Sequence, residues 1–124
     1  MPESKKLLLI IDDEEDFVQM QTARLSKSGY EVMSADNGVK GLERIRQRRP
    51  DLILLDYLMP GLDGSAICKQ IKGDDEFKKI PVIFMTASPQ FLTPERLRST
   101  QADDYLIKPF GSSELLAKIK RFIG

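Results

Sequence analysis

Leu7-Leu8-Leu9-Ile10-Ile11-Asp12-Asp13 is the stretch that decides how this chain folds. Five apolar residues with no polar alternation read as a strand covered on both faces, and two acids end it abruptly. The run Asp51-Leu52-Ile53-Leu54-Leu55, followed by Asp56, repeats the pattern. If both runs lie in one parallel sheet, three carboxylates meet at its rim. Like charge packed so closely raises pKa values or demands a cation, so the arrangement costs stability unless something binds there.

Outward from these two runs, three more strand-length apolar segments appear: Tyr30 to Ser34, Pro81 to Met85 and Asp104 to Ile107, with the first strand read as Lys6 to Ile11. Between them lie stretches of helical spacing. Val39, Leu42 and Ile45 share one face, as do Leu115, Leu116, Ile119, Phe122 and Ile123. Helix starts are signalled by Asp13 ahead of Glu14-Glu15-Asp16, by Asn37, by Asp63, by Thr93-Pro94-Glu95 and by Ser112-Ser113-Glu114. Alternating strands and helices with right-handed crossovers give a doubly wound α/β fold, in which ligands sit outside the carboxyl ends of the strands. Asp12, Asp13, Asp56, Thr86 and Lys108 all fall at such ends.

The 124 residues suit one domain, expected to span residues 1–124, and 41% apolar with 31% charged residues is a globular composition. No apolar stretch approaches the length of a membrane span and no secretory signal is visible, which places the expected compartment in the cytoplasm. Nineteen acids balance nineteen bases, so the footprint of a nucleic-acid-binding domain is absent. Arg44, Arg46, Arg48 and Arg49 read as a solvated helix face, and the lone Cys68 as a small buried hydrophobe. Histidine is absent, which excludes His-based triads, His metal ligands and a histidine shuttle.

Carboxylates, hydroxyls and lysines remain. A carboxylate such as Asp56 can attack phosphorus to give an acyl phosphate. Asp12 and Asp13 suit Mg²⁺, a hard cation that keeps several waters and needs only one or two carboxylates beside a phosphoryl oxygen. Phosphoryl transfer relies on positioning and positive charge, which Lys108 supplies, while Thr86 offers a hydroxyl and Ala87 leaves room. Each residue taken alone has a plainer reading: Asp13 as an N-cap, Thr86 as a strand-end threonine, Lys108 as a solvated lysine, Asp56 as the start of the turn Tyr57-Leu58-Met59-Pro60-Gly61.

In combination the chain resembles a response-regulator receiver domain, the CheY-like phosphoacceptor module of two-component signalling. The motifs are Ile11-Asp12-Asp13-Glu14, Leu54-Leu55-Asp56-Tyr57-Leu58-Met59-Pro60-Gly61-Leu62-Asp63-Gly64, Ile80-Pro81-Val82-Ile83-Phe84-Met85-Thr86-Ala87 and Ala102-Asp103-Asp104-Tyr105-Leu106-Ile107-Lys108-Pro109-Phe110. The resemblance implies a flavodoxin-like five-stranded parallel sheet, order 2-1-3-4-5, with five helices. It implies that Asp56 is phosphorylated and that Mg²⁺ is held by Asp12, Asp13, Asp56 and the Leu58 carbonyl. Thr86 and Lys108 would contact the phosphoryl group, Thr86 and Tyr105 would act as the switch, and the Lys108-Pro109 bond would be cis. It further implies a switch rather than an enzyme. Its donor would be a histidine kinase or histidine phosphotransfer protein. Its output would pass through Glu95 to Thr100, Asp104 to Ile107 and Ser112 to Ile123 to a downstream partner or output domain, with no nucleic acid or membrane contact of its own.

Two departures qualify the resemblance. Gln101 stands where many relatives have glycine, so the fourth helix is expected to end differently or to be less ordered. Leu58 and Ser88 offer no carboxamide or carboxylate to orient an attacking water, which implies slow self-dephosphorylation. Among rival readings, a haloacid-dehalogenase-type phosphatase would need an aspartate where Leu58 stands, and a flavodoxin-like cofactor binder would be repelled by Asp12-Asp13-Glu14-Glu15-Asp16. A phosphorylation-independent interaction module of the same fold is the remaining alternative.

Overall fold

The structure is a computed structural model and describes residues 5–59 and 63–124. Five parallel strands among the described residues, β1 (Leu7–Ile11), β2 (Glu31–Ala35), β3 (Leu52–Asp56), β4 (Val82–Thr86) and β5 (Asp104–Ile107), form one sheet ordered β2-β1-β3-β4-β5. Among the described residues five helices connect and close it: α1 (Glu15–Lys27), α2 (Gly38–Gln47), α3 (Gly64–Lys72), α4 (Pro94–Thr100) and α5 (Ser112–Ile123). A short 3₁₀ turn, Pro89–Phe91, precedes α4.

The apolar runs are buried throughout because alternate side chains feed two cores. Leu9, Ile11, Ile53, Leu55, Val82 and Phe84 pack on one face against Ile45 of α2 and Ile67, Cys68 and Ile71 of α3. Leu8, Ile10, Leu52, Leu54, Ile83 and Met85 pack on the other against Leu25 of α1 and Leu115 and Ile119 of α5. A continuous hydrophobic pentad is what a strand needs when helices cover both sides. Strands β2, β3 and β4 begin and end about one residue later than the sequence pattern suggests. The shift carries Asp56 and Thr86 into the ladder, where they pair with Met85 and Ile107. Asp51 stays outside, and its carboxylate accepts the Leu7 amide at 2.7 Å.

Three expected caps form with side-chain bonds: Asn37 accepts from the Lys40 amide, Asp63 from Ala66 and Thr93 from Arg96. The other two differ. Helix α1 is capped at Glu14 rather than Asp13, and Asp12 Oδ1 accepts the Glu14 amide at 3.0 Å. Helix α5 is capped by Gly111 without a side-chain bond, so Ser112 and Ser113 lie in its first turn.

Val39, expected on the buried face of α2, is 60% exposed. Gly38, Gly41 and Ile45 are buried on that face, and Leu42, half-buried, packs against the same core as expected. A methyl on Gly41 would collide with Ile11 Cδ1 and lie 2.9 Å from its Cγ1, so the helix backbone itself is pressed on β1. A hydrophobicity pattern cannot register a contact made by a missing side chain.

Gln101 is a second correction. Helix α4 still ends in the left-handed conformation, with Gln101 at φ 62° and ψ 23° and its amide bonded to the Leu97 and Arg98 carbonyls. The hydrogen bonds of the cap offset the steric cost of a Cβ in that region, ~1–2 kcal/mol. The expected turn residues Pro60 and Gly61, with Leu62, lie outside the described residues.

Candidate functional site

Parallel strands put their carboxyl ends on one rim, and the crossing between β1 and β3 opens a crevice there. Asp12 follows β1, Asp56 ends β3, Thr86 ends β4 and Lys108 follows β5. One carboxylate oxygen from each of Asp12, Asp13 and Asp56 lies within 4.8 Å of the others. Asp12 and Asp56 are buried, at 1% and 5% exposure, whereas Asp13 faces solvent.

Lys108 reaches into this group. Its Nζ donates to Asp12 Oδ2 at 2.7 Å and to Glu14 Oε1 at 3.1 Å, and lies 3.8 Å from Asp56 Oδ1. The Phe17 ring lies beneath the ammonium, 4.2 Å away, and stacks edge-on against Phe110. Burial opposes the charge of Lys108, but the bonds to Asp12 and Glu14 and the nearby Asp56 prevail and raise its pKa. The plainer expectation of a solvated lysine therefore does not describe Lys108. Its main-chain amide donates to the Thr86 carbonyl at 2.7 Å, and the Lys108-Pro109 peptide is cis.

Asp56 is the electrostatic anomaly. Burial pushes its carboxyl up to about 7, the negative charge of Asp12 adds to this, Lys108 partly offsets it, and Asp13 and Glu14 contribute further repulsion. Four carboxylates face one ammonium, so a divalent cation would relieve the strain. The three oxygens are hard donors. A hard divalent cation such as Mg²⁺ takes oxygen donors of this kind and needs only one or two carboxylates beside its waters. The donor set fits that ion, and the carboxylates of Asp12, Asp13 and Asp56 are the side chains able to hold it.

Thr86 is 1% exposed, its hydroxyl oxygen accepts the Ser88 amide at 2.9 Å, and among the described residues no acceptor takes its hydroxyl proton. Tyr105 is half-buried beside the core that holds Phe84, with Lys118 Nζ 5.4 Å from its ring. Leu58 is 46% exposed next to Tyr57, whose ring stacks edge-on against Phe84. Cys68 is buried and donates weakly to the Thr100 carbonyl, and burial pushes its thiol up to about 11, which keeps it inert.

Sequence reasoning missed three contributors. Glu14 and Phe17 contact Lys108 across more than ninety positions of chain, and no local signal points to either. Gly64 is the third: its amide donates to the Tyr57 carbonyl at 2.9 Å, and a Cβ there would run into the Asp56 carbonyl and lie 3.0 Å from Tyr57 Cα. Its place after Asp63, a capping residue, is legible in the sequence, but the close approach is not.

The response regulator receiver domain family matches residues 8–120 of the chain. The chain is 36% identical over 116 residues to the DNA-binding dual master transcriptional regulator RpaA of Synechocystis sp., covering 94% of this chain and 48% of that protein. It spans about half the length of the curated relatives it matches. Among solved structures, chemotaxis protein CheY4 of Vibrio cholerae superimposes with a TM-score of 0.88 at 28% identity, covering 96% of this chain and 99% of that one. The receiver domain of sensor histidine kinase PA1611 from Pseudomonas aeruginosa, with a magnesium ion coordinated in its active site cleft, gives 0.85 at 29% identity, covering 98% and 99%.

Proposed function

The chain belongs to the response-regulator receiver family, and from that premise we propose that Asp56 accepts a phosphoryl group from a phosphohistidine donor in a Mg²⁺-dependent reaction. The observation that carries this reading is the Asp56 carboxylate itself, buried and crowded by Asp12 while Lys108 lies 3.8 Å away. Asp56 attacks phosphorus as a carboxylate; the new Oδ–P bond forms as the bond from phosphorus to the donor nitrogen breaks. With a small acyl phosphate, the broken bond is instead P–O and a carboxylate leaves.

Asp12, Asp13 and Asp56, with the Leu58 carbonyl, would hold Mg²⁺, which would neutralise charge on the phosphoryl oxygens. Lys108 brings a second positive charge, and Thr86 offers its hydroxyl proton to a phosphoryl oxygen. Such contacts exist in one state and not in the other, and only that difference can shift the equilibrium between conformations. Thr86 and Tyr105 then carry the change to α4, β5 and α5, where a downstream protein or output domain reads it. The chain acts as a signalling switch in the cytoplasm rather than as a turnover enzyme, with a histidine kinase or histidine phosphotransfer protein as its donor. No described helix is long and apolar enough to cross a membrane. The four arginines from Arg44 to Arg49 are exposed, and two of them are committed: Arg44 to the Ser34 carbonyl and Arg48 to Glu31.

Incubation with acetyl phosphate and Mg²⁺, read by intact mass, tests the proposal. One added phosphoryl group, lost in Asp56→Asn and without Mg²⁺, is the expected result. No addition under any condition would favour the phosphorylation-independent interaction module.

A further inference from the structure

Resting on the phosphoacceptor reading, we propose that Glu14 is a positioning residue that tethers Lys108 away from Asp56 and so restrains phosphorylation. An ammonium has three N–H donors. Asp12 and Glu14 take two of those on Lys108, at 2.7 and 3.1 Å, while the Phe17 ring lies 4.2 Å from Nζ. Asp56 Oδ1, at 3.8 Å, is beyond hydrogen-bond distance. The third N–H has no described hydrogen-bond partner, but the two bonds hold Nζ 3.8 Å from Asp56 Oδ1, and drawing it toward a phosphoryl oxygen on Asp56 stretches one of them.

The two bonds differ in what opening them costs. Asp12 has a fully buried side chain, so without a cation in the rim removing its partner would strand a charge away from water. Glu14 has a side chain that is 63% exposed, and water can replace Lys108 there at little cost. The main chain at Glu14 is fixed by its amide bond to Asp12 Oδ1 at 3.0 Å, so only the carboxylate arm has to swing. Glu14 is thus the releasable partner, and the strength of its bond sets how readily Lys108 turns to the incoming group.

Glu14 takes no part in the transfer itself. Asp56 Oδ forms the bond to phosphorus, the P–O bond to acetate breaks, and acetate leaves with the electron pair. Glu14 acts only through Lys108, and that dependence is what the experiment reads.

The rate of phosphorylation by acetyl phosphate is measured by intact mass at saturating Mg²⁺ for the parent chain, Glu14→Gln and Glu14→Asp, each also combined with Lys108→Ala. Glu14→Gln is expected to react about threefold faster, the size of one half-exposed ion pair removed from competition. Glu14→Asp should behave like Glu14→Gln, because the shorter arm keeps the charge but not the reach. In the Lys108→Ala background both gains should vanish. An unchanged rate in Glu14→Gln, or a gain that persists without Lys108, would overturn the tether, the latter by pointing to general repulsion of the donor. The Lys108 ammonium signal in ¹H–¹⁵N spectra gives a reading that needs no phosphorylation: it should shift in Glu14→Gln, and an unmoved signal refutes the contact. Failure of the parent chain to be phosphorylated would instead count against the phosphoacceptor reading, while the ammonium signal still decides the tether.

Discussion

Replacing Asp56 with asparagine should stabilise the metal-free protein, although it removes the residue on which the proposed function depends. A carboxyl that ionises at 3.8 in an open chain and at about 7 in the fold opposes folding by ~1.36 kcal/mol per pH unit between those values. The sign follows from proton counting. Between the two values the native state keeps a proton that the unfolded chain has released, so stability falls as pH rises. Below both the effect is absent, and above both it is complete at about 4 kcal/mol. Water entering the rim and movement of Lys108 relieve part of this, so about 2 kcal/mol is expected in practice. Asparagine keeps the shape and removes the charge. Urea unfolding followed by far-UV circular dichroism, in EDTA, should therefore show Asp56→Asn and the parent equal near pH 4, diverging as pH rises, and about 2 kcal/mol apart at pH 8. Mg²⁺ should stabilise the parent more than the variant and narrow the gap. A variant that is less stable at pH 8, or a difference that does not vary with pH, would refute the account of the rim as a site of unrelieved repulsion.

Three further outcomes are expected. Gly64→Ala should cost about 3 kcal/mol by urea titration, because its methyl would meet the backbone of Asp56 and Tyr57 rather than a movable side chain. Gln101→Gly should gain about 0.5–1 kcal/mol, relieving a side chain at φ 62°, and a loss would show that the cap does not set the cost. Leu58→Asn should shorten the lifetime of the phosphorylated form, because a carboxamide at this exposed position beside Asp56 can orient a water; an unchanged half-life in a direct decay assay would count against it.

Much of the fold is legible in the sequence because its signals are local. Each apolar run marks a strand, and Asn37, Asp63 and Thr93 each announce a helix through a bond reaching only three residues ahead. The caps that the sequence does not announce, Glu14 and Gly111, lack a side-chain bond of their own and so lack the signal. Periodicity misplaces Val39 because Gly41 brings the α2 backbone onto Ile11, an approach that hydrophobic spacing does not encode. In the candidate site, Asp12, Asp13, Asp56, Thr86 and Lys108 stand out by their place at strand ends. Glu14 and Phe17 do not, since their role exists only where Lys108 arrives beside them.

Which residues reach the rim can be read from the chain alone, because strand length and the direction of parallel strands follow from apolar patterning and short-range capping. What those residues become depends on their neighbours in the folded molecule. Asp56 acquires its raised pKa from burial and from the charge of Asp12, and Lys108 is divided between Asp12 and Glu14 across the width of the sheet. Desolvation and Coulomb interactions sum over everything nearby in space, so they cannot be assigned until the chain has brought distant residues together.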